Sequence, residues 1–233
     1  MALMRLQKFL SQAGVCSRRL GETYILEGRV QVNGMIVSTL GARVDPDADR
    51  VRVDGKPAVL RKQMVYIALN KPSGYVTTCS QAGEPIVLDL VDVGERVYPV
   101  GRLDRDSTGL LLLTNDGRIH HRLSHPSFDH EKEYEVTLAE PIFDGALQKM
   151  AAGLPMMGTR TRPAEVRRIS ARRFVIVLKE GRNRQIRRMV RKVGGRVTVL
   201  RRTRIANILL GDLPEGRWRH LSEAEVKSLT EGL

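Results

Sequence analysis

Apolar residues near the start of the chain recur at helical spacing: Leu6, Phe9, Leu10 and Ala13 share one face, and Gly14 ends the run. Ser17 is placed to cap a second helix carrying Leu20, Tyr24 and Ile25, which Gly28 closes. The period then falls to two. Val30 and Val32 lead into an Asn33-Gly34 turn and Ile36, and Val44, Val51 and Val53 continue as short strands punctuated by Asp45-Pro46-Asp47 and Asp54-Gly55. This pattern predicts a small module over residues 1–60 whose surface carries Arg5, Lys8, Arg18 and Arg19. Residues 54–63, with Lys56-Pro57 and Arg61-Lys62, read as a linker to a larger domain over 61–233.

In that domain Val65–Leu69 is an apolar strand ending at Asn70-Lys71-Pro72-Ser73-Gly74. Val97–Val100 and Leu110–Leu113 follow, the latter ended by an Asn115-Asp116-Gly117 turn. Tyr134, Val136 and Leu138 alternate, as do Phe174, Ile176 and Leu178. Between them Ala146–Ala152 reads as a helix capped by Asp144 and stopped by Gly153. Asn183 is placed to cap a helix that buries Ile186, Met189, Val190 and Val193, with Arg184, Arg187, Arg188 and Arg191 on its other side and Gly194-Gly195 at its end. Val197, Val199 and Ile205–Leu209 are further strands, and Ser222 with Glu225 forms a capping box. Without regular βαβ alternation, the order predicts an α+β fold with a mixed, largely antiparallel sheet.

Charge changes the picture. The 233 residues carry 39 Lys and Arg against 26 Asp and Glu, a net +13. Between Arg160 and Arg204 stand 17 of those bases and only two acids, Glu165 and Glu180, so one segment makes the whole chain basic. A cluster of this kind suits a polyanion, because each neutralised phosphate releases counterions. Aromatic content is only 4%, which disfavours a sheet of stacking rings as the reader of single strands. No apolar run has the length of a membrane span. Cys16 and Cys79 are too few for a disulfide framework or a cysteine zinc site, so a cytoplasmic protein is expected.

The stretch Gly101-Arg102-Leu103-Asp104-Arg105-Asp106-Ser107-Thr108-Gly109 lies between two apolar strands, and its terminal glycines suggest a tight loop that delivers an acid to a cleft. As a calcium loop it has Asn115 where a bidentate Glu is needed. As an Asp-x-Asp-x-Thr phosphotransferase loop it resembles haloacid-dehalogenase phosphatases, but Arg102 interrupts the apolar strand and later paired acids are missing. An Asp that merely caps a turn also fits these nine residues. His120, His121, His125 and His130 match no metal-ligand spacing, and no metal is expected. Walker, Rossmann and Gly-x-Ser-x-Gly patterns are absent.

Residues 4–53, through Arg5-Leu6-Gln7-Lys8-Phe9-Leu10, Ser17-Arg18-Arg19 and Gly28-Arg29-Val30-Gln31-Val32-Asn33-Gly34, resemble the S4 RNA-binding domain. The resemblance implies that Arg5, Lys8, Arg18 and Arg19 meet RNA phosphates. Gly101-Arg102-Leu103-Asp104 with Ser107–Gly117 resembles the catalytic motif of bacterial rRNA pseudouridine synthases. So do Leu69–Gly74, Glu131–Tyr134, Glu180–Met189 and Leu200–Ile205, in the same order. The subgroup is that of small-subunit synthase A and large-subunit synthases B, E and F, nearest to B and F.

The resemblance implies isomerisation of a uridine in ribosomal RNA, 23S rather than 16S, by a monomer without a cofactor. The C1′–N1 bond breaks and C1′–C5 forms. Asp104 matches the catalytic aspartate; whether it attacks C1′ or assists formation of a glycal stays open. A cation is expected to hold its pKa down, and Arg187 matches the family's basic partner. Tyr134 matches the active-site tyrosine and Leu200 a residue packing the base. A uridine in a stem must be flipped out for this chemistry, and Arg102 is placed either to fill the vacated position or to pair with a phosphate. Basic residues over 182–204, among them Arg182, Arg184 and Arg188, are expected to hold neighbouring phosphates. The competing class is a non-catalytic RNA-binding or ribosome-assembly factor, from which the acid with Tyr134 and Arg187 is the discriminating set.

Overall fold

The computed structural model of the chain describes residues 3–60, 63–124, 130–156 and 158–231. Two compact units divide between Met64 and Val65. The first holds helices α1 (Leu6–Gln12) and α2 (Arg18–Leu26), with strands β1 (Met4–Arg5), β2 (Val30–Val32), β3 (Met35–Ile36), β4 (Arg43–Val44), β5 (Val51–Val53) and β6 (Lys56–Ala58). Ser17 Oγ accepts the Leu20 N–H at 3.1 Å and caps α2. Leu6, Phe9 and Leu10 pack with Ile25, Val30, Val44, Val51 and Val53. Leu20 is 43% exposed instead, because Gly21 and Ile25 carry the buried stripe of α2. Asn33 and Gly34 both take positive φ, the geometry of a tight two-residue hairpin turn between β2 and β3. Residues 54–58 are not a linker. Asp54-Gly55 turns the chain so that β6 completes a sheet ordered β3-β2-β5-β6 and Ala58 joins the core. Arg61 and Lys62 of that expected linker lie outside the described residues.

The second unit runs β7 (Tyr66–Lys71), β8 (Tyr98–Val100), β9 (Thr108–Thr114), α3 (Gly117–Ser124), β10 (Lys132–Leu138), α4 (Asp144–Ala151), β11 (Pro155–Met156), β12 (Thr159–Arg160), β13 (Glu165–Ser170), β14 (Arg173–Leu178), α5 (Gln185–Lys192), β15 (Val197–Ile205), β16 (Ile208–Leu209), β17 (Trp218–His220) and α6 (Glu223–Thr230). Its main sheet has the order β13-β14-β10-β15-β9-β7-β17, with β16 on β15 and β8 on β9. Neighbours are antiparallel except β15 and β9, which meet in parallel at Arg201↔Thr108 and Arg202↔Gly109. The fold is therefore α+β with a mixed, largely antiparallel sheet.

Leu110–Leu113 is apolar without alternation because both faces of the sheet are covered there. Leu110 and Leu112 pack with Ile119, Leu123 and Leu229, while Leu111 and Leu113 pack with Val87, Val97 and Leu103. Ile186, Met189 and Val190 of α5 pack on Val136, Phe174, Ile176 and Leu200.

Three local expectations change. Asn115-Asp116-Gly117 does more than end β9: Asp116 Oδ1 accepts the Arg118 N–H and the chain enters α3 at once. Asp144 is the first residue of α4 rather than its cap, and its carboxylate pairs with Arg168 at 2.6 Å. Asn183 does not cap α5; Arg184, with φ 50, holds that position, and Asn183 Oδ1 accepts from Arg188 Nη2. The Ser222–Glu225 capping box forms as expected. Among the described residues no helix is long and apolar enough to cross a membrane.

Candidate active site

The loop between β8 and β9 enters the parallel junction of the sheet through Gly109. There the chain takes φ +99, and a Cβ would stand 2.3 Å from the Arg202 carbonyl oxygen, so only glycine lets the two backbones approach. Every carbonyl from Arg102 to Ser107 accepts a hydrogen bond. Arg202 Nη1 reaches the oxygen of Arg102 at 3.5 Å, and Thr77 Oγ1 donates to that of Leu103 at 2.8 Å. The Ser107 N–H donates to Asp104, and the Gly74 N–H to Arg105. Arg187 Nη2 donates to Asp106 at 3.0 Å. Lys71 Nζ, from the end of β7, donates to Arg105 at 3.2 Å and to Ser107 at 2.8 Å. Lys71 is fully buried. Burial pushes its ammonium down to about 8, against the pull of Asp106 and Asp104.

This scaffold presents Asp104 with its side chain 28% exposed. The cation beside it is Arg184, Nη1 to Oδ2 3.4 Å. Arg187, the cation matched by resemblance, pairs instead with Asp106 Oδ2 at 3.2 Å and donates to Ser107 Oγ at 3.3 Å. Arg184 also grips Asp106 with two bonds, at 3.1 and 3.2 Å. Burial on its own would raise the Asp106 carboxyl, but these two guanidinium groups outweigh it and hold the carboxyl below its ordinary range. The left-handed backbone at Arg184 leads directly into α5, so one helix start brings both arginines to the loop.

Asp104 lines a cleft of about 460 Å³ together with Arg102, Tyr134, Lys132, Arg184 and Arg202. A smaller recess of about 100 Å³ that shares Asp104, Arg102 and Tyr134 adds Leu200, Leu178 and Ile186. Tyr134 is half-buried on β10 and Leu200 is buried on β15, so ring and leucine form an apolar wall beside the carboxylate. Such a recess suits a flat, partly apolar group held against an acid.

Arg182 spends its donors on protein: Glu180 Oε2, Thr159 Oγ1, and the carbonyls of Met156 and Arg160. Phosphate contact there would compete with bonds that brace the β11–β12 hairpin. Arg188, half-buried, borders a wider basic hollow with Arg160, Arg191 and Lys192. In the first unit Arg5, Lys8, Arg18 and Arg19 are all exposed. Among the described residues no group of three His, Cys, Asp or Glu could hold a metal ion; His125 lies outside them.

Sequence reasoning missed Lys71, Thr77, Asp106 and Arg202 as parts of the site. Lys71, Asp106 and Arg202 stand in the stretches 69–74, 101–109 and 200–205 already singled out, so a signal existed for each of them but not for Thr77.

Comparison with known proteins gives consistent matches. The pattern described as RNA pseudouridylate synthase matches residues 65–192, and that of the S4 domain matches residues 4–49. The dual-specificity RNA pseudouridine synthase RluF of Escherichia coli K12 is 42% identical over 97% of this chain and 78% of its own length. An uncharacterized RNA pseudouridine synthase of Mycobacterium leprae is 43% identical over 97% of this chain and 92% of its own. A crystal structure of a pseudouridylate synthase superposes with TM-score 0.72 at 31% identity, covering 97% of this chain and 99% of that one.

Proposed function

The chain belongs to the RNA pseudouridylate synthase family, and from that premise we propose that it converts one particular uridine of ribosomal RNA, in the 23S molecule, to pseudouridine. Residues 1–60 dock the RNA and residues 61–233 perform the isomerisation. The observation that carries this reading is Asp104 at the edge of a recess walled by Tyr134 and Leu200, with Arg184 at 3.4 Å.

The uridine leaves its stem at a cost of a few kcal/mol and enters the recess. Its ring stacks on Tyr134 and packs against Leu200, while Arg102 occupies the position it vacated. Asp104 then acts at the sugar as the C1′–N1 bond breaks; the base, held close by, rebonds to C1′ through C5, the C5 proton leaves to solvent and N1 takes up a proton. Bonds are exchanged within one nucleotide without net oxidation or reduction, so the reaction needs no cofactor. Arg184 and Arg187 act from the acid's side of the cleft. Arg188 meets flanking phosphates, and Arg5, Lys8, Arg18 and Arg19 meet others.

Pseudouridine maps of total RNA from cells with and without the protein test the reading. The expected result is one 23S position that loses its pseudouridine and regains it when the protein is restored. Every RNA class is to be scored in the same maps, because RluF is named dual-specificity. Identical maps would overturn the proposal.

A further inference from the structure

Strand register sets three residues side by side across the parallel junction. Tyr134 on β10 stands opposite Arg202 on β15, and Arg202 opposite Gly109 on β9. Arg202 is 2% exposed, and among the described residues no carboxylate pairs with it. Its Nε donates to the Leu110 carbonyl at 2.7 Å and its Nη1 reaches that of Arg102 at 3.5 Å. Nη2 is buried with no acceptor. The guanidinium carbon lies 6.0 Å from the centroid of the Tyr134 ring, and the residue lines the cleft.

Packing does not account for this side chain. A charge removed from water without a counter-ion opposes folding, and a methionine of similar size would fill the same space without that penalty. What the guanidinium does, and an apolar chain cannot, is bond to carbonyls on both sides of Asp104 while facing the ring on the adjoining strand. We propose that Arg202 is a positioning residue of the isomerisation, fixing the distance between the Asp104 loop and the Tyr134 ring across which the extruded base is held. The proposal rests on the function above and acts through Asp104 and Tyr134.

Arg202→Met and Arg202→Lys in the full chain test it. Three quantities are measured: single-turnover tritium release from a C5-tritiated rRNA transcript at saturating enzyme, transcript affinity, and thermal midpoint. The Met variant is expected to fold with an unchanged midpoint and bind like the parent, yet to release tritium about 100-fold more slowly, as misplacement near 1 Å does. Lys keeps the charge but loses the fork, so it should recover only part of that rate. A Met variant with the parent rate overturns the proposal. So does one that fails to fold, or whose rate falls only in step with affinity or folded fraction, because a structural role then suffices. If the parent itself releases no tritium, the proposed function fails as well; parent release with an unimpaired Met variant sinks Arg202 alone.

Discussion

The Asp104 loop and the basic surface of the first unit are both built from charged residues, yet they are held in opposite ways. In the loop each carbonyl from Arg102 to Ser107 is bonded, by donors from β7, β15, α5 and neighbouring turns. In the first unit Arg5, Lys8, Arg18 and Arg19 stand in solvent on short elements. A reacting group has to be fixed to a fraction of an ångström. A phosphate contact needs only a positive charge within reach of a flexible side chain. On the proposed function, rigidity marks the region that does chemistry, and exposure the region that docks.

The sharpest way to break the contrast is Gly109→Ala, which sets a Cβ 2.3 Å from the Arg202 carbonyl oxygen at φ +99. Denaturant unfolding should show a loss of about 3 kcal/mol, and isomerisation should disappear with it. Next is Asp106→Asn, which removes the anion shared by Arg184 and Arg187. Single-turnover rate should fall about 100-fold while RNA affinity holds, since the arginines lose their aim and keep their charge. Asp106 also carries an acid signature. Its carboxyl is held below the ordinary range, so its stabilisation is present above that range and lost as pH falls through the folded value; acid titration of the Asn variant against the parent reads the difference.

Lys71 gives a pH effect of the same direction in a higher window. With its ammonium pushed down to about 8, the unfolded chain holds a proton that the folded chain has shed between that pH and the ordinary lysine value. Parent stability should therefore gain on Lys71→Met as pH rises through that window, by at most about 1.4 kcal/mol per pH unit. Smallest is the docking surface: Arg18→Ala and Arg19→Ala should each weaken RNA binding a few-fold, reduce the salt slope by about 1, and leave the rate at saturation unchanged.

Much of this contrast was legible before the structure. Exposed Arg18 and Arg19 follow from the helical period around Ile25, and the Gly101–Gly109 loop stood out between its apolar strands. Asp104, Tyr134 and Leu200, matched by resemblance, do share one recess. The brace was not legible, because Lys71 and Arg202 reach the loop only through long-range pairings of β7 and β15 with β9, and Thr77 only from the loop beyond β7, none of which a local period encodes. Nor does spacing along α5 reveal that Arg184, rather than Arg187, is the nearer to Asp104. That depends on a left-handed turn at the helix start.

The division of labour rests on Asp104, and tritium release by Asp104→Asn from C5-labelled rRNA, measured beside RNA affinity, tests it most directly. The account predicts no release above background with affinity within about threefold of the parent, since docking belongs to the exposed cations. Release at the parent rate would contradict it.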